Sequence, residues 1–170
     1  MAMNRVNVLF VCLHGSAKSL IAAEHFNRLA AAKPDVIIAE LGDGILGEYG
    51  VQDILRDAEL TRVGAAYVMA APDPVACWGA TELMRREFDL PITAITGPAT
   101  DNEVGLLYIT TGLGLPAHNA RRDAAGLLGV VRASLAAWVE RAETAERAER
   151  ETANLSAVSA LSAVSALFNT

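Results

Sequence analysis

One cysteine and one lysine bracket a loop of small residues near the start of the chain. The segment VNVLFV (6–11) is a short apolar run typical of a buried parallel strand, and CLHGSAKS follows it directly. The next residues, SLIAAEHFNRLAAA, have apolar side chains at helical spacing. A loop that opens a helix presents backbone N–H groups and the positive end of the helix dipole, which bind an oxyanion. The pattern therefore predicts an anion-binding loop between a strand and a helix.

The residue types in this loop favour thiolate chemistry. Residues 15–17 are small enough for the backbone to curl around a tetrahedral anion, and Lys18 adds a full positive charge. Cys12 stands at the end of the strand, where the helix dipole and Lys18 favour its ionised form; such sites reach pKa values of ~3.5–7.5. Ser19 is placed to donate a hydrogen bond to the thiolate or to cap the helix. The alternative is an inert, buried cysteine.

The segment VLFVCLHGSAKSLIAAEHFNRLA resembles the opening of the low-molecular-weight protein tyrosine phosphatases and the related thiol-coupled arsenate reductases. Their motif is a Cys, five residues, an Arg, then Ser or Thr, between the first strand and the first helix. The resemblance implies that Cys12 is the nucleophile and that Ser19 holds the thiolate. Lys18 replaces the family's Arg, and Gly15 replaces an Asn that braces the loop, which implies anion binding with reduced turnover. The implied oxyanion cradle consists of Leu13, His14, Gly15, Ser16, Ala17 and Lys18.

An oxygen leaving group also needs a proton donor. Asp101, in GPATDNEV, follows the fourth predicted strand and holds the place that the resemblance assigns to the acid. Asp73, in PDPV, follows the third predicted strand and lies in an Asp-Pro pair like that of the family's acid. A turn is the alternative for both residues. The arsenate reductases have a resolving thiol in the region of Cys77, but a core cysteine beside Trp78 is the favoured interpretation. His118 is expected to be structural.

The order of the other segments predicts the fold class. Further strands are expected at 35–40, 65–71 and 92–96, with a possible fifth at 106–111, and helices at 51–60, 78–88 and 123 to about 150. This alternation predicts a three-layer α/β domain with an open, mostly parallel sheet of four or five strands and helices on both faces. The domain is assigned to residues 1–150. Residues 151–170 contain LSAVSA twice and are expected to be a low-complexity tail, either a loosely attached helix or a disordered end.

Composition narrows the classes of function. Fourteen Lys and Arg against 20 Asp and Glu give a formal charge of -6, which argues against a general nucleic-acid binder. No apolar window is long enough for a membrane span, and no signal peptide is expected. Two cysteines favour a reducing cytoplasm, and no metal-ligand spacing stands out. The expected partners are a phosphorylated protein or a small oxyanion, with a thiol reductant for arsenate and no cofactor.

Two other interpretations remain open. GSAKS is similar to a damaged nucleotide-binding loop, in which Lys18 and Ser19 fit but Ala17 and Cys12 replace the motif's glycines. In that interpretation DVIIAELGDG is a strand ending in an acid that holds Mg²⁺, as in the dethiobiotin-synthetase-like NTPases. Glu40 and Asp43 would otherwise be loop acids in a glycine-rich turn. The third interpretation is a non-catalytic protein of the phosphatase fold that binds an oxyanion or a partner.

Overall fold

The computed structural model of the chain describes residues 8–12, 35–42, 44–48 and 50–167. These residues are mixed helix and strand, and the strand pairs are parallel. The chain divides into two compact units. The first contains the described residues up to Gly64 together with 86–88, and the second contains 65–85 and 89–167. The mixed, parallel character predicted from the sequence is therefore present in both units.

The first unit is built on one parallel strand pair. Strand β1 (Val8–Cys12) pairs with β2 (Val36–Glu40), and the register runs from Val8 opposite Val36 to Cys12 opposite Glu40. Both strands lie where the apolar runs predicted them. Two short helices follow, α1 (Val51–Arg56) and α2 (Ala58–Arg62), which divide the single helix expected at 51–60.

Asp57 causes that division. Its backbone is extended, and its carboxylate accepts hydrogen bonds from the N–H groups of Glu59 and Leu60 at 2.9 and 3.1 Å. An acidic side chain in this position satisfies donors that the start of a helix leaves without intrahelical partners. The chain therefore ends α1 and restarts as α2. Val51 and Leu55 of α1 are the buried apolar side chains of these two helices.

The second unit has a parallel arrangement of its own. Strand β3 (Val68–Ala70) pairs with β4 (Ala94–Thr96), and helix α3 (Pro74–Glu87) lies between them in sequence. Ile95 of β4 also forms a parallel bridge with Ala117. The core contains Ala94 and Ile95 of β4, Cys77 and Met84 of α3, and Ile109, all at most 2% exposed. The predicted strands at 65–71 and 92–96 are present in shorter form.

The prediction of a possible fifth strand at 106–111 is wrong. The structure has helix α4 (Glu103–Leu107) followed by a π-helical turn (Tyr108–Gly112). Asn102 begins the helix, because its side chain accepts a hydrogen bond from the N–H of Gly105 at 2.9 Å. The hydroxyls of Thr110 and Thr111 donate to main-chain carbonyls of the preceding turn. The β-branched run was misleading because its threonines bond locally to a helix that an asparagine starts.

Helix α5 (Ala124–Leu167) continues from the helix predicted at 123 to about 150 into the tail, for which a helix was one of the two expected forms. Its 44 residues make it about 66 Å long at ~1.5 Å per residue. Ser134, in its packed half, donates a hydrogen bond to the carbonyl of Ala65 at 2.7 Å. Residues 143–152 are exposed, and Arg150 pairs with Glu146, four residues earlier, at 3.2 Å. The helix passes through the expected boundary near residue 150. No helix in the part of the chain that the structure describes is long and apolar enough to cross a membrane.

Gly97 follows β4 and lets the backbone there approach Ala71, the residue that follows β3, closely. Its φ of 91° lies in a region that favours glycine, and a Cβ there would stand 2.8 Å from the carbonyl oxygen of Ala71 and 3.0 Å from its nitrogen. The neighbouring backbone also pairs, since the N–H of Ala71 donates to Thr96 at 3.0 Å. A side chain at position 97 therefore has no room.

We expect Gly97→Ala to destabilise the protein by about 2–4 kcal/mol, through the strained backbone and the clash with Ala71. Gly79→Ala is the matched control, because Gly79 lies in α3 with nothing within 4 Å of the added Cβ. The control should be neutral or stabilising by about 0.5–1 kcal/mol. Thermal unfolding of both variants measures the difference, and equal melting temperatures would contradict the close approach.

Candidate functional site

Cys12 is the last residue of β1. Its register partner, Glu40, is the last residue of β2, so the two parallel strands end side by side. Glu40 is exposed. The other predicted loop residues, 13–19, lie outside the described residues, and this includes the whole cradle, Lys18 and Ser19. The structure thus places Cys12 at a carboxyl strand end, which is the position that the sequence predicted for it.

Polar residues collect at the carboxyl ends of the second unit's strands. Because parallel strands end at the same edge of a sheet, the residues that follow β3, β4 and the bridge at Ala117 lie along one edge. Asp73 follows β3, Asp101 follows β4, and His118 to Asp123 follow the bridge. Both predicted acids therefore belong to this edge of the second unit, whereas Cys12 belongs to the first unit.

Asn119 organises the polar network around Asp101. It is 9% exposed, and its amide nitrogen donates to the Asp101 carboxylate at 2.8 Å and to the Thr100 carbonyl at 3.4 Å. Its amide oxygen accepts the N–H groups of Arg121 and Arg122 at 3.0 and 3.1 Å. The guanidinium of Arg122 also donates to the Asp101 carbonyl at 2.7 Å. The network therefore fixes the Asp101 carboxylate at an exposed position.

The sequence analysis did not single out Asn119 or Arg122. The available signal was local: HNARRD places an asparagine three residues before an arginine, just ahead of a long helix. Asn in such a position favours a turn in which its side chain accepts backbone N–H groups two and three residues on. That signal predicts the turn. The contact with Asp101 spans 18 residues and depends on the parallel bridge that brings the two segments together.

Asp73 has a capping role in the structure. Its carboxylate accepts the N–H of Ala76 at 2.8 Å, and its carbonyl accepts the N–H of Cys77 at 3.0 Å. These bonds satisfy donors in the first turn of α3. The contacts of Asp73 therefore agree with the alternative prediction, in which this residue forms a turn. Asp101 differs, because its carboxylate bonds to a side chain from a distant segment.

Cys77 is a core cysteine, as the sequence analysis favoured. It is 0% exposed, and its sulfur is the free thiol that the structure describes. Burial, followed by the nearby charge of Asp73, raises the pKa of this thiol. A buried thiol with a raised pKa is a poor nucleophile. The neighbouring Trp78 is 54% exposed.

His118 and Asp123 form a pair at the start of α5. Their Nδ1 and Oδ2 atoms are 2.7 Å apart, and the other Asp123 oxygen accepts the N–H of Gly126 at 2.9 Å. The hydrogen bond from His118, followed by that from Gly126, lowers the pKa of Asp123. The pair fixes the entry to the helix, which agrees with the structural role expected for His118. No group of three His, Cys, Asp or Glu in the described ranges could hold a metal ion.

Comparison of the chain with protein-family models, with curated proteins and with solved structures found no match.

Asp123 should contribute to stability in a pH-dependent way. Its folded pKa is lowered, so its contribution is present above the pKa of an unfolded aspartate, ~3.9, and is lost as the pH falls through the folded value. We expect Asp123→Asn, which keeps the capping oxygen, to lower the melting temperature near neutral pH and to have little effect in strong acid. Glu140→Gln, on the exposed side of α5, is the control and should show no such dependence. Identical pH profiles for the two variants would contradict the pairing.

Proposed function

We propose that this chain is an oxyanion-binding protein that acts through a Cys12 thiolate, in the manner of the low-molecular-weight phosphatases and arsenate reductases that it resembles. The observation that carries the proposal is the position of Cys12, which is the last residue of a parallel strand and the first residue of CLHGSAKS. In α/β folds the carboxyl ends of parallel strands are where ligands bind. The three-layer sheet of four or five strands that the resemblance implies belongs to this proposal.

The proposed chemistry has two steps. The Cys12 sulfur attacks the phosphorus of a bound phosphate ester, an S–P bond forms, and the P–O bond to the leaving group breaks as that oxygen takes a proton. Water then breaks the S–P bond and releases phosphate and the thiolate. The loop N–H groups and Lys18 stabilise the charge that develops. The resemblance assigns the proton donor to Asp101, and Asp73 is the second candidate.

With arsenate as the substrate, the second step of the reaction is different. A thiol attacks the sulfur of the Cys12–arsenate adduct, a disulfide forms, and the two electrons that leave the sulfurs reduce arsenate to arsenite. Cys77 is buried and its pKa is raised, which makes it a poor resolving thiol. The proposal therefore assigns this role to an external thiol reductant.

Lys18 should bind the anion but limit the chemistry. A compact ammonium cannot share two oxygens of the transition state as a planar guanidinium does, and contacts made mainly in the transition state raise turnover more than affinity. We expect Lys18→Arg to raise turnover of an aryl phosphate about tenfold, worth ~1.4 kcal/mol, with little change in phosphate affinity. Lys33→Arg makes the same exchange outside the loop and should change neither quantity.

Two further variants complete this experiment. Cys12→Ser should bind phosphate without turnover, and Lys18→Ala should lose phosphate binding. Turnover is followed by release of the aryl alcohol, and binding by the shift in melting temperature without added Mg²⁺. If Lys18→Arg abolishes phosphate binding while Cys12→Ser keeps an activity, the phosphatase proposal is wrong.

A nucleotide-binding function is the second candidate, and one observation favours it. The acid that ends β2, Glu40, is the register partner of the residue that begins the loop. A carboxylate beside a phosphate loop is the arrangement that holds Mg²⁺ in nucleotide-binding proteins. In such a site Lys18 acts as a point charge on the phosphates, so its exchange for Arg should be harmful. This candidate predicts a melting shift with nucleotide and Mg²⁺ together.

A further inference from the structure

Helix α3 presents large apolar side chains on its solvent side. Val75 is 76% exposed and Trp78 is 54% exposed. The helix packs its opposite side into the core of the second unit through Cys77 and Met84. Helical spacing puts Val75, Trp78 and Gly79 on one side, since residues three and four apart are neighbours on a helix surface. A tryptophan left half exposed on a helix is the kind of side chain that protein interfaces bury at their centre.

Helix α4 extends this apolar surface. Strand β4 lies between β3 and the bridge at Ala117, because Ile95 of β4 pairs on both sides. The connections through α3 and α4 therefore step across the sheet in the same direction, and right-handed crossovers then place both helices on one face of the sheet. Val104 and Leu107 of α4 are exposed as well. One face of the second unit thus carries four large exposed apolar side chains.

The charges on the solvent side of α3 are divided between its two ends. Asp73, at the start of the helix, is exposed. Arg85 and Arg86 lie seven residues beyond Trp78 and Gly79, so they share the side of the helix on which those residues lie. Arg85 also pairs with Glu82 at 3.0 Å, which leaves this end of the solvent side with a net positive charge.

Gly79 lies at the midpoint of this charge pattern. It is six residues from Asp73 and six from Arg85, about 9 Å along the helix in each direction. A Cβ at Gly79 would meet nothing within 4 Å, so the helix surface is open and shallow there. A second helix can approach closely at such a point, because the distance between packed helices depends on the side chains at the contact.

We propose that this face of the second unit is the contact between two copies of the chain, in which the α3 helices cross antiparallel on a two-fold axis at Gly79. A two-fold contact uses the same patch on both copies. With the axis at Gly79, Asp73 of each copy lies opposite Arg85 of the other, so both ends of the contact pair unlike charges. A parallel arrangement would put like charges opposite each other. The proposal does not depend on the proposed function.

The order of charges favours a second copy as the occupant. The patch is negative at one end and positive at the other, and its own copy, turned by the two-fold axis, is complementary at both ends. Trp78 is adjacent to Gly79, so the two tryptophans flank the axis at the centre of the contact. Val75, Val104 and Leu107 then supply apolar area around that centre.

Sedimentation equilibrium of the full chain tests the proposal. We expect a monomer–dimer equilibrium with a Kd of about 10–100 µM, since a contact of this size lies at the low end of the range for specific interfaces. Trp78→Glu should weaken association about tenfold or more. Arg85→Glu should weaken it about fivefold, because it sets like charges opposite each other at both ends. Both residues are exposed, so the dilute variants should keep their melting temperatures within a few degrees.

Two controls make matched changes on α5. Leu128→Glu replaces another exposed apolar side chain with an acid, and Arg132→Glu reverses another exposed charge. Neither variant should change the Kd of the dimer. A Kd that responds to Leu128→Glu and not to Trp78→Glu would place the contact on α5 and overturn the proposal.

Oxidative cross-linking tests the position of the axis. The background is Cys12→Ser, and Cys77 is buried, so a thiol introduced on the surface is the one that reacts. Two copies of residue 79 on a two-fold axis come within reach of a disulfide, which needs Cα atoms ~4.4–6.8 Å apart. We expect Gly79→Cys to form a covalent dimer on oxidation, whereas Glu140→Cys, on the exposed side of α5, should stay monomeric.

Three results would overturn the proposal. The first is a chain that stays monomeric up to about 1 mM, which would leave this face to a different partner or to solvent. The second is a dimer whose Kd is unchanged by Trp78→Glu. The third is a dimer that Trp78→Glu weakens but that neither responds to Arg85→Glu nor cross-links through Gly79→Cys, because its helices would not cross antiparallel at Gly79.

Discussion

Parallel strand pairing is the constraint on which both halves of this protein depend. Parallel partners run in the same direction, so the residues that follow neighbouring strands lie at the same edge of the sheet. In the first unit this rule brings Cys12 and Glu40 to one level. In the second unit it brings the residues after β3, β4 and Ala117 to one edge. The chemistry proposed for the chain begins at such a strand end.

In the second unit, hydrogen bonds and close backbone contacts join the segments along such an edge. Gly97 lets β4 end against the backbone of Ala71, and the Thr96 hydroxyl accepts the N–H of Ala120 at 3.1 Å. Asn119 donates through its amide nitrogen and accepts through its amide oxygen, so the polar atoms of this nearly buried side chain have hydrogen-bond partners. The carboxylate of Asp101 bonds to this network, whereas the carboxylate of Asp73 accepts an N–H from the first turn of α3. Their contacts therefore favour different roles for two acids that sequence alone treated alike.

Structural features that depend on the local pattern of residue types were predicted correctly from the sequence. Short apolar runs located β1 to β4. Prediction failed where a single polar side chain decides the local structure. Asn102 starts a helix where 106–111 was expected to be a strand, and Asp57 divides one expected helix into two. The contact between Asn119 and Asp101 joins distant segments, and the continuation of α5 to Leu167 depends on a tail whose repeat carries no stop signal. Neither feature follows from periodicity.

The proposed function requires Cys12 to be an ionised nucleophile inside an anion-binding loop. The most direct measurement is alkylation of the native protein by iodoacetamide against pH and phosphate concentration, without Mg²⁺, with the modified residue mapped by mass spectrometry. Cys77 serves as the internal reference, because it is buried and should react only after unfolding. We expect Cys12 to react with a midpoint below about 7.5 and phosphate to protect it. A midpoint near that of a free thiol, ~8.5, with no protection by phosphate, would contradict it.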